Sequence, residues 1–379
     1  MNEPGVESAC IGCLRRCWLV GRLGPFIQVA CDDRPGRRTP ELLRLNDEDL
    51  AAVVAPARVD EFLSWMASLD EGELKEEIGA AGCWACCRHD VNFPVGLLDG
   101  ADAPPVLIGR GTGIPLKELD PWQSVTVVGA RRASGYGLEV AASIGRDLVS
   151  TGMNVVSGLA LGIDAAAHRG ALERGPTVAV LGSGADRPYP VSHTRLYRQI
   201  AERGMILSEQ PPGTEARRWG FPARNRIMAA LSGMTVVVEA ATRSGSLITA
   251  EMAADAGREV GAVPGPVTAR ISAGTNELIA NGSAVIRDAR DVLDRLVGVG
   301  AERPALFGPE LAPGSRFVLD AIEQGCETVD SVSADCGRPV REVAAELTRL
   351  EVQGYLRGST TGTWSRTTLA APYPSVTDD

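Results

Sequence analysis

Lysine is almost absent from this chain of 379 residues, which contains only Lys75 and Lys117. Both lysines follow a leucine, whereas a phosphate-binding loop of the Walker A type needs its lysine directly after a glycine. The sequence therefore excludes a P-loop ATPase or GTPase. Nearly all of the positive charge is carried by arginine, which offers a planar fork for phosphate and a flat face for stacking.

Other shortages narrow the function further. No run approaches the roughly eighteen apolar residues of a membrane span, and Arg15, Arg16 and Arg22 interrupt the N-terminal apolar segment. We therefore expect no membrane span and a cytoplasmic location. Only 3 histidines are present, which leaves few candidates for histidine-dependent catalysis. Because the net charge is -10, any nucleic-acid site must be a local basic patch.

Composition divides the chain into segments. Residues 1–78 carry apolar positions at helical spacing, which predicts a small helical module. Residues 79–298 alternate short apolar runs with amphipathic segments, as a Rossmann-like domain does. Glycines and prolines mark 299–313 as a linker. Residues 314–370 have the order helix, helix, longer helix and β-hairpin, which is typical of a winged helix, and 371–379 form a tail.

The strands of the central domain are predicted from short apolar runs between helical segments. These runs are Val106–Ile108, Val125–Val128, Asn154–Val156, Val178–Leu181, Met205–Leu207, Val236–Val238, Val260–Val263 and Ala284–Ile286. Continuous apolar strands between helices indicate a parallel sheet covered on both faces. The predicted fold class is α/β, with a doubly wound, mostly parallel Rossmann-like sheet between the helical module and the winged helix.

The turn after the second predicted strand argues against a dinucleotide cofactor. A Rossmann fingerprint needs Gly-x-Gly-x-x-Gly, and here Gly129 is followed by Ala130 and Arg131. An arginine in place of the second glycine obstructs the close approach of a pyrophosphate. We therefore expect neither a nicotinamide nor a flavin, and we assign no cofactor.

Small residues at successive strand ends, together with arginines, predict an anion site instead. The carboxyl ends of parallel strands lie at one rim of the sheet, where such turns expose backbone N–H groups and helix N-termini. A single glycine more often serves only to make a tight turn, but the combination with arginines favours a phosphate site. The candidate residues on these turns are Gly129, Arg131, Arg132, Gly158, Gly182, Ser244, Gly245 and Ser246.

A second arginine-bearing segment begins a helix that packs through Ile227 and Met228. Its first residue, Phe221, can stack on a base or act as a hydrophobic staple at the helix start. Two nearby arginines cannot both point into an apolar interface, so at least one should face solvent, a carboxylate or a ligand. The candidate residues here are Phe221, Arg224, Asn225 and Arg226.

Asp164 and His168 lie four residues apart on one helical face, which is the spacing of an acid/base or metal pair. The preceding Gly162 suggests a helix start, where the Asp164 carboxylate interacts favourably with the helix dipole. The structural interpretation is preferred, and no catalytic residue is assigned.

Cysteines and a histidine near the N-terminus offer a possible metal site. Cys10-x-x-Cys13 and Cys83-x-x-Cys86-Cys87-x-His89 resemble two halves of one tetrahedral zinc site that would tie the helical module to the sheet domain. The separation of the halves far exceeds that of a zinc ribbon, and buried free cysteines behave as small apolar residues. The sequence leaves both interpretations open, and we assign no metal.

Taken together, the motifs resemble the DNA-processing protein A family (DprA, also called Smf). The C-terminal segment is similar to the winged-helix domain that many members carry. In one departure, the first loop of the family commonly reads Gly-Ser-Arg, and Ala130 replaces the serine here. The resemblance rests on residues 127–137, 157–168, 208–209, 221–231 and 239–265, and covers nearly all of the predicted central domain.

The resemblance implies a non-catalytic protein that binds single-stranded DNA in a basic pocket on the sheet rim. It also implies a homodimer formed through the Rossmann-like domain, and loading of the RecA recombinase during natural transformation. The first-loop arginine of the family corresponds to Arg131, and its Arg-Asn-Arg element to Arg224, Asn225 and Arg226.

Two alternatives stay open at this point. The segment 245–251 faintly resembles the Gly-Gly-x-Gly-Thr-x-x-Glu turn of nucleotide phosphoribohydrolases, in which Glu239 or Glu251 would act near a ribose. A regulator of duplex DNA is the weaker alternative, because the third helix of the winged-helix segment carries acidic residues such as Glu342 and Glu346 where a groove-reading helix should be basic.

Overall fold

The computed structural model describes residues 9–33, 39–100, 102–298, 311–359 and 362–366. The chain divides into two compact units, residues 1–301 and 302–379. The predicted helical module and sheet domain therefore belong to one unit, and the boundary between them at residue 78 stays a prediction. Most of the predicted linker and all of the predicted tail lie outside the described residues.

The first unit has an N-terminal set of helices, a long sheet and the helices that connect its strands. Its helices are α1 (Ile11–Asp33), α2 (Thr39–Leu43), α3 (Asp47–Val54), α4 (Val59–Ser68), α5 (Glu71–Ala80), α6 (Val95–Leu98), α7 (Gly135–Ser150), α8 (Ile163–Leu172), α9 (Thr194–Arg203), α10 (Gly220–Leu231), α11 (Gly245–Asp255), α12 (Ala273–Ala280) and α13 (Ala289–Leu296). Its strands are β1 (Trp84–Cys87), β2 (Val106–Arg110), β3 (Ser124–Val128), β4 (Asn154–Ser157), β5 (Val178–Val180), β6 (Met205–Ser208), β7 (Met234–Val237), β8 (Glu259–Ala262) and β9 (Ala284–Val285).

The sheet confirms the predicted fold class. Its strand order is β1-β2-β6-β5-β4-β3-β7-β8-β9, and β2 is antiparallel to both of its neighbours while the pairs from β6 to β9 are parallel. Chain order reverses at β3, whose neighbours are β4 and β7. This is the switch point at which open α/β sheets place their ligands. All eight predicted apolar runs form strands, with ends that differ by one or two residues.

Strand β1 is the element that the apolar runs did not predict, because Trp-Ala-Cys-Cys lacks the β-branched residues that mark the others. It pairs with β2 so that Trp84 lies opposite Gly109. The indole Nε1 of Trp84 donates to the carbonyl of Gly111 at 3.0 Å. A Cβ at position 109 would lie 2.1 Å from the Trp84 ring, so the absence of a side chain there makes room for the indole.

The N-terminal helices are held by their own core and by caps. Asn46 caps α3 by accepting from the backbone N–H of Asp49 at 2.8 Å. Arg16 of α1 donates to Asp47 at 2.6 Å. The core of this module also includes Trp219 and Ala223 from the start of α10, so the helices pack directly onto the sheet domain. Within the described residues, no helix is both long and apolar enough to cross a bilayer.

The second unit contains α14 (Pro313–Glu323), α15 (Val329–Cys336), α16 (Val340–Val352), β10 (Leu356–Gly358) and β11 (Trp364–Arg366). The two strands are antiparallel, and the elements follow the predicted order of a winged helix. Two of the acidic residues on α16 have contacts within this fold. Glu346 accepts from the Ser315 hydroxyl at 2.5 Å and from Arg349, and Glu351 accepts from the backbone N–H of Gly358.

Helix α8 carries a fully buried histidine against the sheet. His168 Nδ1 lies 2.9 Å from the hydroxyl of Thr177, whose proton goes to the carbonyl of Val155. Because the hydroxyl is already donating, His168 Nδ1 must supply the hydrogen in the first bond. Burial lowers the pKa of His168 to about 3, so the ring is neutral. These contacts agree with the structural interpretation of the residue.

We expect Gly109→Ala to destabilise the protein by about 1–3 kcal/mol, because the new methyl group overpacks the Trp84 ring. Gly79→Ala is the matched control. It adds a methyl group on the exposed side of α5 with nothing within 4 Å, and should stabilise by about 0.5–1 kcal/mol through helix propensity. Thermal unfolding of both variants shows whether each substitution lowers or raises the stability of the protein. A Gly109→Ala protein as stable as the wild type would contradict the pairing of β1 with β2.

We expect His168 to make the protein acid-sensitive between pH 6.5 and about 3. The unfolded imidazole binds a proton below its ordinary pKa while the folded one does not, so stability is complete above pH 6.5 and falls as the pH decreases. At pH 5 the loss is about 2 kcal/mol. Urea unfolding at pH 7 and pH 5 should therefore show a smaller pH effect for His168→Gln than for the wild type. An unchanged pH effect would show that other groups determine the acid response.

Candidate nucleic-acid interface

Three of the predicted glycine turns lie next to one another at a single rim of the sheet. Gly129, Gly158 and Gly182 follow β3, β4 and β5, which are adjacent and parallel. Arg131, Gly158, Gly182, Phe221 and Arg224 line one pocket at this rim. The structure therefore brings together residues of both arginine-bearing segments, which are far apart in sequence.

The first loop is held by a carboxylate beneath it. Ser134 caps α7, accepting from the Gly137 N–H at 3.0 Å, and its own N–H and hydroxyl donate to Glu239 at 2.9 and 2.5 Å. A Cβ on Gly129 would lie 2.7 Å from Ile163 and 2.9 Å from the Glu239 carbonyl, so only glycine fits there. This clamp fixes the loop and leaves Arg131 and Arg132 exposed to solvent.

The floor of the pocket is a buried guanidinium. Arg224 is only 6% exposed, and its Nη1 donates to the carbonyls of Gly158 and Val180, both at 2.5 Å. A Cβ on Gly158 would lie 2.2 Å from the guanidinium carbon, so this glycine makes room for the arginine. Asn225 accepts from Arg224 Nε at 3.0 Å and thereby orients it.

A buried carboxylate balances this charge. Asp164 Oδ2 lies 4.0 Å from Arg224 Nη2 and accepts from the backbone N–H groups of Gly158 and Ala160. Burial lowers the pKa of Arg224 to about 10, even though Asp164 acts in the opposite direction. Burial also raises the pKa of Asp164. At neutral pH Arg224 remains a cation, and Asp164 serves as its partner and as an anchor of the β4 turn.

The mouth of the pocket is aromatic. The rings of Phe221 and Tyr189 lie 5.4 Å apart with an interplanar angle of 40°. The guanidinium of Arg131 stands over the Phe221 ring at 5.3 Å, within the range of a cation–π contact. Tyr189 is 44% exposed, as is Leu161 beside it. The predicted base-stacking residue Phe221 is half-buried, and together with exposed Arg131 and Tyr189 it forms a platform at the mouth of the pocket.

Arg226 lies in a different place from Arg224. Its Nη2 donates to Glu209 at 2.5 Å and its Nη1 to the carbonyl of Ala223. Both side chains of this ion pair are nearly inaccessible. They border a separate cleft of about 390 Å³ between the N-terminal helices and the sheet, which Arg16 and His89 also line. The structure thus separates the two arginines of the Arg-Asn-Arg element.

The predicted serine turn lies on the other side of β3, after β7. Ser244 caps α11 and its hydroxyl lies 2.7 Å from that of Ser246, which is buried, while Gly245 is exposed. None of these three residues lines the pocket that contains Arg224. Because β7 is parallel to β3, these residues lie at the same rim of the sheet as the first loop.

Sequence reasoning missed Tyr189 and Leu161, which complete the mouth of the pocket. Leu161 stands in the loop after β4, and Tyr189 in the loop after β5, beyond Gly182. The sequence did contain a signal for Tyr189, because this aromatic residue follows a glycine turn at the end of a strand. Leu161 carries no such signal, because an apolar residue in a turn is expected to be buried. Trp219, two residues before Phe221, is 3% exposed and packs in the N-terminal core.

Two family models match the chain. The model described as DNA recombination-mediator protein A matches residues 84–297, which is more than half of the sequence. A second model, the DprA winged helix domain, matches residues 302–359.

Curated relatives give the same result. A putative DNA processing protein DprA from Mycobacterium tuberculosis H37Rv is 41% identical over 246 residues, with 63% of each chain covered. Protein Smf from Synechocystis is 34% identical over 300 residues, covering 70% of this chain and 75% of the relative. The chain thus spans somewhat less than two thirds of the length of the mycobacterial relatives.

Solved structures support the match. DNA processing protein A from Streptococcus pneumoniae is 32% identical with a TM-score of 0.59, and the match covers 75% of this chain and 95% of that one. A Helicobacter pylori structure, described as giving insights into the unique single-stranded DNA binding mode of DNA processing protein A, is 29% identical with a TM-score of 0.50, covering 56% and 95%. The resemblance seen in the motifs is therefore confirmed, and the chain belongs to the DNA recombination-mediator protein A family, also called DprA or Smf.

Proposed function

We propose that this protein binds single-stranded DNA at the sheet rim. The observation that carries the proposal is the cluster of Arg131, half-buried Phe221 and Tyr189, which lines the same pocket as the buried cation of Arg224. Aromatic faces and guanidinium planes stack on unpaired bases of any sequence, whereas a duplex keeps its bases stacked on each other. The same platform therefore favours single strands over duplex.

The polar part of the interface suits a phosphate backbone. Arg131 and Arg132 are exposed on the loop between β3 and α7, and a guanidinium group offers a planar fork that matches phosphate. At the end of β5, Gly182 leaves the rim free of a side chain. We assign phosphate contacts to Arg131, Arg132 and the turn at Gly129, with Gly245 and Ser244 extending the path along the rim.

Burial assigns different roles to the two arginines of α10. Arg224 lines the pocket and supplies positive charge from below, while its donors are largely used by carbonyls. Arg226 is paired with Glu209 away from the platform. We propose that Arg226 acts indirectly, by holding α10 in place, and that Asn225 acts by orienting Arg224.

The larger role follows from the family. We propose that the protein is a non-enzymatic DNA-processing factor that protects incoming single strands and loads RecA recombinase in natural transformation, acting as a homodimer in the cytoplasm. The relatives named as DNA processing proteins and the single-stranded DNA binding described for the Helicobacter pylori protein support this proposal. Stimulation of RecA filament formation on protected single strands tests the RecA part directly.

We expect Arg131→Ala and Phe221→Ala to weaken binding of a labelled oligonucleotide. Loss of one stacked base costs about 1–3 kcal/mol, or roughly five- to 150-fold in affinity. Loss of Arg131 should also reduce the dependence of affinity on salt, because one phosphate contact disappears. Fluorescence anisotropy with single-stranded and duplex oligonucleotides at two salt concentrations measures these effects.

Arg146→Ala is the matched control for Arg131→Ala. Arg146 lies further along α7 in an ion pair with Glu173 at 2.5 Å, and its loss should leave DNA affinity unchanged. Equal affinity of the wild type for duplex and single strand, or wild-type binding by both platform variants, would refute the proposed interface.

We expect Arg226→Ala to lower stability rather than DNA affinity. The change leaves the Glu209 carboxylate buried without its partner, which typically costs about 3–5 kcal/mol. Adding Glu209→Gln should recover part of this loss. Thermal unfolding and DNA binding, measured on the same preparations, separate the two effects. An Arg226→Ala protein with normal stability and lost binding would place Arg226 on the DNA instead.

A further inference from the structure

Four side chains that sequence alone left undecided come together between α1 and β1. The Sγ atoms of Cys10, Cys13 and Cys87 and a ring nitrogen of His89 all lie within 4.8 Å of one another. Nδ1 of His89 is 3.5 Å from the sulfur of Cys10, 3.5 Å from that of Cys13 and 3.8 Å from that of Cys87. Three sulfur atoms therefore lie close to the same imidazole nitrogen.

Hydrogen bonding does not account for this arrangement. A neutral imidazole nitrogen has either one lone pair or one proton, so it can pair with one thiol and not with three. A metal ion at the centre does account for it. Bonds of about 2.3 Å to sulfur and about 2.0–2.1 Å to nitrogen, placed tetrahedrally, separate the ligand atoms by roughly 3.5–3.8 Å. The observed nitrogen–sulfur distances match those edges.

We infer that Cys10, Cys13, Cys87 and His89 form a structural Zn²⁺ site. Three cysteines and one histidine are an established ligand set of closed tetrahedral zinc sites, which keep no position open for water or substrate. Iron–sulfur clusters commonly need four cysteines instead. A closed site of this kind acts structurally, by holding two parts of the chain together.

The backbone presents these ligands in two short pieces. Cys10 immediately precedes α1 and Cys13 lies in its first turn, while Cys87 ends β1 and His89 lies in the turn that follows. The Cys10 N–H points at the sulfur of Cys87 at 3.5 Å. An N–H donor to a ligand sulfur is a typical outer contact of a metal site, since it stabilises the thiolate.

The neighbouring cysteines of the sequence motif lie elsewhere. Cys86 faces the opposite side of β1 and packs in another core cluster, and Cys83 directs its sulfur to the carbonyl of Ala81 at 3.7 Å. The structure thus selects one cysteine from the adjacent pair at 86 and 87. Alternation along β1 decides the choice, because successive side chains point to opposite faces of a sheet.

The site would tie the N-terminal helices to the edge of the sheet. Helix α1 carries Cys17, whose thiol donates to the carbonyl of Glu209 at 3.2 Å, and Glu209 is the partner of Arg226. A metal at the start of α1 therefore stabilises the helix that contacts Glu209 and, through Glu209, the Arg226 side chain of α10. Metal binding is coupled to folding because the ligands come together only in the folded chain. Binding weakens at acidic pH because the ligands must lose their protons.

The test uses the full chain, expressed with zinc and dialysed without chelator. Elemental analysis should find one zinc per chain, and removal with a chelator should lower the midpoint of thermal unfolding. Apo protein titrated with Co²⁺ should show visible bands of tetrahedral coordination and near-ultraviolet thiolate bands. Absence of stoichiometric zinc together with absence of the Co²⁺ spectrum would overturn the inference.

Variants of the exposed ligands assign the site, because Cys10 and His89 can be changed without altering the core. Cys10→Ala and His89→Gln should each lower zinc content and alter the Co²⁺ spectrum. The matched control, Cys83→Ala, removes a nearby buried thiol and should retain full zinc content. Unchanged zinc in both ligand variants, or loss in the control alone, would show that these four residues do not hold the metal.

Discussion

The rim of the sheet depends on one buried guanidinium. Arg224 joins the carbonyl groups at the ends of β4 and β5, and the absence of a side chain at Gly158 is what admits it. A buried cation is stable only with good partners, and Asp164 and Asn225 supply them. The platform of Arg131 and Phe221 therefore lies next to the Arg224 cation, whose charge Asp164 already neutralises in part.

Two acidic residues, each just after the end of a strand, hold the remaining parts of the rim in position. Glu209 follows β6 and holds Arg226, and Glu239 follows β7 and holds the first loop through Ser134. A carboxylate engaged by two donors on the loop it supports is well placed to fix the backbone around Arg131. This gives Glu239 a structural task where the phosphoribohydrolase alternative assigned it a chemical one.

Most of the fold was predictable because its signals are local. Continuous apolar strands depend on residues that are neighbours in the chain, and all eight predicted runs appear as strands in the structure. Strand β1 was not predictable from its residues, because a strand of Trp-Ala-Cys-Cys exists only through its pairing with β2. Among candidate site residues, Arg131 and Phe221 were placed together by the rim argument. The separation of Arg224 from Arg226 follows from their spacing of two on a helix, but which of them faces the pocket and which meets Glu209 depends on how α10 packs.

The same distinction explains why the cysteines resisted interpretation. Spacing within Cys10-x-x-Cys13 is local, but the position of Cys87 opposite it depends on β1, the one strand that the pattern missed. Once β1 is placed, pleating sends Cys86 and Cys87 to opposite faces, and only Cys87 can reach the start of α1. The N-terminal helices then contact the sheet domain through the cysteine cluster at one end of α1, through Cys17 and Glu209, and through Trp219 in their core. Trp219 leads directly into α10, which carries Phe221 and Arg224. The N-terminal helices therefore support the helix of the candidate site, although their sequence gave the least indication of a role in DNA binding.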